Sequence, residues 1–471
     1  MSDDARHAFS GRLDPRALPA LIAGILWLAV SEGWGGAVLA ILPGVGLIAS
    51  SGGVMFWPGE PRHARLMALS GVVGVLFALP AFGVDGWRYA LMVLILSAVS
   101  FVCAGRLALI SGTRPAGVPT VPQGWLANAK AALDAALMGY FVLTARIPTR
   151  SEMSSFAERA ARLEAALTGD RATDGAVEGP ERVDAPHDAE LLAMHTRHLS
   201  GERLSFPSRY RAPSEGADAP RWLAHAANAR CQALVFRQRQ PEHHWLVGIH
   251  GYRMGPDWLN TALFPPRLLM QQLGCNLMLP VLPLHGARKV GWRTGDYYMD
   301  GDPLNLLYAQ SQALSDLRHL LAWIRDVDAD ARIGVLGYSL GGLNAALLAA
   351  WEPALDFVVA GIPLADPAAI VWPAVPPSYR RGFEAQGVDA ERYARLLEGI
   401  SPLSRAPLVP RARLTIFAGA ADCIVPPDQP ERLSRHWGVP VHWYTGGHLT
   451  FRNEPVVMNS LHDMAGAAGW T

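Results

Sequence analysis

The chain is poor in charge and in cysteine. Of its 471 residues only 17% are charged, and 41 acidic side chains cancel 41 basic ones, where an ordinary soluble domain carries roughly 25% charged residues. That balance excludes a dedicated nucleic-acid binder, which needs a basic face to release counterions from phosphates. Half of the residues are hydrophobic, too many for a disordered chain. Cys103, Cys231, Cys275 and Cys423 stand far apart, with no C-x-x-C pair and no histidine at ligand spacing. Neither a disulfide framework nor a metal site is expected, and no cofactor is implied.

The shortage of charge is local. Residues 17–112 hold only Glu32, Glu60, Arg62, Arg65, Asp85, Arg88 and Arg106. Four apolar stretches follow one another there, at 17–31, 33–59, 66–84 and 89–105. About 20 helical residues cross a hydrocarbon core of ~30 Å, so the last three are spanning candidates and the first is marginal. Arg62 and Arg65 lie between the second and third stretches, and Arg106 and Arg114 flank the end of the fourth. By the excess of cationic residues on cytoplasmic loops, four crossings put both termini and the C-terminal domain in the cytoplasm. Trp27, Trp34, Trp57 and Trp87 fall near the ends of the runs, where amphipathic rings favour the membrane interface.

The sequence therefore divides into a tail at 1–16, a membrane region of three or four helices at 17–112, a helical connector at 113–235 and a C-terminal domain at 236–471. In the connector, Trp125–Arg146 has helical periodicity and suits either a membrane surface or packing on the C-terminal domain. Ser151–Thr168 is a second amphipathic helix. Residues 169–186, rich in Asp, Gly and Glu, read as a flexible loop. Beyond residue 220 short apolar runs alternate with helices. Strands are expected at 245–249, 276–281, 333–336, 356–360, 413–418 and 439–444, which implies a mostly parallel sheet covered by helices on both faces.

Three residues in this alternating region point to chemistry. Ser339 lies in Gly337-Tyr338-Ser339-Leu340-Gly341, between an expected strand and an expected helix. A serine on a sharp strand-to-helix turn needs small neighbours, and the helix behind it favours developing negative charge. Asp422 follows the apolar run Leu414–Ala418, and His448 follows Val439–Tyr444 in Gly446-Gly447-His448-Leu449. Nucleophile, acid and base thus stand in one chain order at strand ends. His250-Gly251-Tyr252 closes an early strand; the N–H groups of Tyr252 and Leu340 are candidate oxyanion donors, and Gly251 and Tyr338 candidate substrate contacts.

On these pieces, together with Ala421-Asp422-Cys423-Ile424-Val425-Pro426-Pro427, residues about 240–455 resemble the α/β-hydrolase superfamily. The resemblance implies a sheet of about eight strands and a Ser339–His448–Asp422 triad. Pro283-Leu284-His285-Gly286-Ala287-Arg288-Lys289 is similar to a stretch in a lipid-deacylating branch, but no substrate is read from it. His243, His244 and His285 lack partners at metal spacing and are expected to pack or to face solvent. Asp366 is a rival acid at a strand end. Residues 366–400, with Trp372, Tyr379, Phe383 and Tyr393, lie where such folds insert a cap.

The expected protein is a multi-pass membrane hydrolase with its hydrolase domain in the cytoplasm. It would cleave an ester, thioester or amide of a small or lipid-like acyl substrate through an acyl-enzyme on Ser339. An acyltransferase using the same triad, or an inactive scaffold of the same fold, are the alternatives.

Overall fold

The computed structural model describes residues 14–31, 33–112, 114–168, 183–195, 200–212, 219–240 and 242–470. Most of the expected tail at 1–16 and of the expected loop at 169–186 lies outside these residues. The chain divides into two compact units. One is Met1–Thr144 with Ala418–Asp428 and Trp443–Glu454, and the other is Ala145–Phe417 with Gln429–His442 and Pro455–Thr471.

The first unit is built on α1 (Leu18–Val30), α2 (Gly33–Phe56), α3 (Pro61–Val84), α4 (Trp87–Ser111) and α5 (Trp125–Thr144). Four of these, α2 to α5, are long and apolar enough to cross a membrane, whereas α1, with 13 residues, is short for it. The helices pack through small residues: Ala20, Ala40, Ala64, Ala78, Ala90 and Ala104 are buried, while Trp34, Ile41, Phe56, Leu79, Trp87 and Ile95 face outward. Small residues inside and large apolar ones outside is the pattern of helices that pack in lipid, where burying apolar surface gains nothing and close approach decides. Pro43 and Pro80 sit inside α2 and α3, as membrane helices tolerate. The interior is sewn by weak polar links, such as Tyr89 Oη donating to the Trp27 carbonyl at 3.3 Å.

The second unit is built around a mixed sheet. Its strands are β1 (Glu190–His195), β2 (Ser200–Pro207), β3 (Arg230–Phe236), β4 (His244–Ile249), β5 (Asn276–Val281), β6 (Arg332–Tyr338), β7 (Phe357–Gly361), β8 (Leu414–Gly419) and β9 (Val441–Tyr444). They run in the order β1-β2-β3-β5-β4-β6-β7-β8-β9. The pairs β1·β2, β2·β3 and β3·β5 are antiparallel, and β5·β4, β4·β6, β6·β7 and β7·β8 are parallel. The central strands β5, β7 and β8 are buried at every residue, which is why they read as continuous apolar runs. The helices used below are α6 (Phe156–Thr168), α7 (Asn305–Val327), α8 (Leu340–Trp351), α9 (Pro367–Ala374), α10 (Pro377–Glu384) and α11 (Ala390–Leu396). A mostly parallel sheet with β6 feeding directly into α8 is the expected α/β-hydrolase architecture.

The structure differs from the sequence reading in two places. The connector is helical at α5 and α6, but Glu190–His195, Ser200–Pro207 and Arg230–Phe236 form β1, β2 and β3 and extend the sheet. β1 is exposed along nearly its whole length and β2 is half-buried at first, so neither shows the alternation that marks a half-buried strand. The second difference is α5, which carries a fully buried aspartate, Asp134, among buried alanines and a glycine.

Candidate active site

Ser339 is the single residue between β6 and α8, at φ 59° and ψ −115°. A non-glycine residue there is strained by about 1–3 kcal/mol and persists only where its surroundings over-determine it. Here the Ser339 N–H donates to the Gly361 carbonyl at 3.0 Å, and the Leu343 N–H donates to the Ser339 carbonyl at 3.0 Å. The flanking glycines are steric requirements. A Cβ on Gly337 would lie 2.0 Å from the Gly341 carbonyl oxygen, and one on Gly341 would lie 1.9 Å from that of Ile249. Ser339 is partly exposed and stands immediately before the α8 N-terminus, the positive end of the helix dipole.

The turn after β4 lies beside it. A Cβ on Gly251 would sit 3.5 Å from Ser339 Cβ and 4.0 Å from its Oγ, so the fold brings Gly251 beside the serine. His250 braces that turn: its Nδ1 donates to the Gly251 carbonyl at 2.8 Å and its Nε2 accepts from the Leu282 N–H at 3.2 Å. Burial pushes His250 down to about 4, so it is neutral near pH 7. His285 is buried and neutral too, its Nε2 accepting the Arg253 N–H at 3.1 Å. Leu340 is the first residue of α8. The Tyr338 ring, a candidate substrate contact, stacks on Phe264 at 5.0 Å and meets Phe417 edge-on at 6.1 Å; it is packed in the core.

In the first unit, the turns after β8 and β9 are tied together. The Ala420 N–H donates to the Tyr444 carbonyl at 2.8 Å and the Ala421 N–H to that of Gly446 at 3.1 Å. Asp422 Oδ1 accepts from the N–H groups of Ile424 and Val425 at 2.9 and 2.8 Å. Its Oδ2 pairs with His448 Nδ1 at 2.6 Å, so Nε2 is the ring nitrogen that this pair leaves out. Burial alone would lower the His448 pKa, but the charge and hydrogen bond of Asp422 outweigh it, and Asp134 adds to them; the imidazole is held above its ordinary value. Sequence reading missed Asp134, whose carboxylate accepts backbone N–H bonds from Cys423, His448 and Leu449. The signal was there: a lone carboxylate in the run Ala131-Ala132-Leu133-Asp134-Ala135-Ala136 is a costly residue that demands a partner.

Other candidates find structural partners. Asp366 caps α9 through the Ala369 N–H at 3.0 Å and pairs with Arg432 at 2.8 Å. His243 contacts Asp328 at 2.7 Å and His244 contacts Glu242 at 2.6 Å. In the expected cap, Trp372 packs on Tyr393 and Phe383, and Phe383 on Phe156 of α6. Arg288 is fully buried against Asp316 at 2.7 Å, a role inside the core. Among the described residues, no group of three or more His, Cys, Asp or Glu is placed to hold a metal ion.

No protein-family profile matches the chain. An uncharacterized protein of Mycobacterium tuberculosis (strain H37Rv) is 38% identical over 272 residues, which is 57% of this chain and 65% of that protein. Its counterpart in strain CDC 1551 matches to the same extent, so the match spans under two thirds of these relatives' own length. Among solved structures, acetyl xylan esterase 1 from Thermoanaerobacterium sp. JW/SL YS485 is similar at 16% identity and TM-score 0.42, covering 69% of this chain and 96% of that one. An acetyl xylan esterase from Paenibacillus sp. R4 gives 16% and 0.43, over 68% and 96%. The enol-lactonase from Burkholderia xenovorans LB400 gives 17% and 0.34, over 50% and 96%.

Proposed function

We propose that the protein is a membrane-anchored serine hydrolase that cleaves an ester, or a related acyl bond, of a small or lipid-like substrate. Ser339 Oγ attacks the acyl carbonyl as its proton passes to His448 Nε2. The N–H groups of Leu340 and Tyr252 stabilise the resulting oxyanion. His448 then returns the proton to the departing alcohol, and the tetrahedral intermediate collapses to an acyl-enzyme. Water, deprotonated by His448, releases the acid and restores the serine. Asp422 holds the imidazole tautomer and stabilises its cation. The observation that supports this reading most is the strained turn at Ser339, since such strain is retained where a nucleophile must be presented.

The membrane reading rests on the apolar helices. Arg62 and Arg65, between α2 and α3, and Arg106 and Arg114, at the end of α4, fall on one side of a bundle in which α2, α3 and α4 cross. The chain leaves α4 on that side whether or not α1 also crosses, so the hydrolase region is cytoplasmic. In this reading α5 lies against the turns that Asp134 binds, not across the bilayer.

The test is Ser339→Ala. It is expected to abolish ester hydrolysis and covalent labelling by a fluorophosphonate; labelling of that variant at the wild-type rate would refute the assignment.

A further inference from the structure

We infer that Asp134 is a positioning residue for the proposed reaction: a carboxylate carried by the N-terminal helices that holds the acid turn and the base turn in one frame. The inference rests on the serine-hydrolase reading and adds to it that the apolar helices are part of the catalytic apparatus as well as an anchor.

Burying a carboxylate is expensive unless hydrogen bonds compensate it, and α5 buries Asp134 completely. The compensation comes from the two turns that carry the acid and the base. Oδ2 accepts from the N–H of Cys423 at 3.1 Å and of His448 at 2.6 Å, and Oδ1 from the N–H of Leu449 at 3.0 Å. One donor adjoins Asp422 in sequence, and the others are His448 itself and its neighbour. The bonds Ala420–Tyr444 and Ala421–Gly446 already join the two turns backbone to backbone, and Asp134 joins them a second time through the N–H groups of Cys423, His448 and Leu449.

Two further contacts belong to this arrangement. A Cβ on Gly447 would lie 2.5 Å from Asp134 Oδ2, so the close approach of the carboxylate needs a glycine there. One helical turn earlier in α5, Lys130 pairs with Glu454 at 2.9 Å, at the end of the short helix that begins at His448. α5 thus grips the base turn at both ends.

The charge of Asp134 matters beyond geometry. In this unit the carboxylates acting on His448 are Asp422 and Asp134; burial, and then the neighbouring Asp422 charge, push Asp134 itself far above the usual carboxylate range, to about 7, so its charge acts on the imidazole on the basic side of that value. Lys130 and Glu454 offset each other, and burial holds the Cys423 thiol and the Tyr444 hydroxyl well above their ordinary values. The Tyr444 hydroxyl donates to the Gly447 carbonyl at 3.0 Å. Removing the Asp134 charge takes away one of two influences that favour the imidazolium.

The experiment compares wild type, Ser339→Ala, Asp134→Asn and Asp134→Ala, each as the full chain in detergent or native membranes. It follows hydrolysis of a p-nitrophenyl ester and the rate of fluorophosphonate labelling across pH. Labelling rate reads only the folded fraction, so lower yield does not confuse it. Asp134→Asn is expected to lower kcat about 10- to 100-fold, the cost of a small misplacement, with KM little changed and the acidic limb moved to lower pH. Asp134→Ala should do so more severely. Wild-type rates in both variants, or a lower rate with an unmoved limb, overturn the inference; the second outcome assigns Asp134 to folding alone. Should neither variant fold, Gly447→Ala reads the same contact from its other side, and a wild-type rate there also overturns it. Labelling that persists in Ser339→Ala would instead remove the hydrolase reading, and this inference with it.

Discussion

At Ser339 the backbone takes a conformation that costs about 1–3 kcal/mol, and the residues that make it possible are the two glycines at spacing two on either side. That relation is local, so it was legible in the sequence. The electrostatics of His448 was not, because it depends on a carboxylate 26 residues away and on another from a distant helix. Burial opposes the imidazolium, yet Asp422 and Asp134 hold the His448 pKa above its ordinary value of about 6.5. A general base must be unprotonated, so the proposed reaction gains rate as pH rises through that raised value. The acidic limb of kcat/KM, which reports the free enzyme, is expected above pH ~6.5; a limb at or below the ordinary histidine value contradicts the assignment of His448 as base.

The elements divide by how much of their burial the sequence displays. β5, β7 and β8 are buried throughout and announce themselves as apolar runs; β2 adds to the β3 edge and β1 to β2, and their own residues do not require a strand. α8 carries the serine turn and is fastened at its far end by Glu352, which follows Trp351 and accepts from Arg318 Nε at 2.8 Å and from Arg325 at 2.9 Å. Both arginines belong to α7, and Arg318 is buried. Glu352→Ala would remove the carboxylate from this buried ion pair, and removing one partner of a buried pair costs about 3–5 kcal/mol. A chemical-denaturation midpoint equal to that of wild type would show that the α7–α8 tie is not needed.

At the scale of the whole molecule, the chain enters its first unit with the apolar helices, leaves at Thr144, and returns at Ala418–Asp428 and Trp443–Glu454. The returning segments are the acid and base turns. If α2, α3 and α4 cross a bilayer as proposed, the protein should stay in the membrane pellet after alkaline carbonate washing and be released by detergent, and a reporter fused to its C-terminus should be active in the cytoplasm. Release by carbonate, or a reporter active only outside, rejects the corresponding half of that reading.

Patterns legible along the chain are those that neighbouring residues can enforce. The run of uncharged stretches, the glycine-flanked serine and the order of serine, acid and histidine are patterns of spacing, and each acts through contacts a few residues long. The tertiary structure alone decided that β1, β2 and β3 widen the sheet, that the ring of Tyr338 is core, and that Asp134 in an apolar helix meets backbone N–H groups some 290 and 315 residues later. Those N–H groups carry no side-chain signature, so no pattern in the sequence could announce them; only the folded chain brings a buried carboxylate to the donors that make its burial affordable.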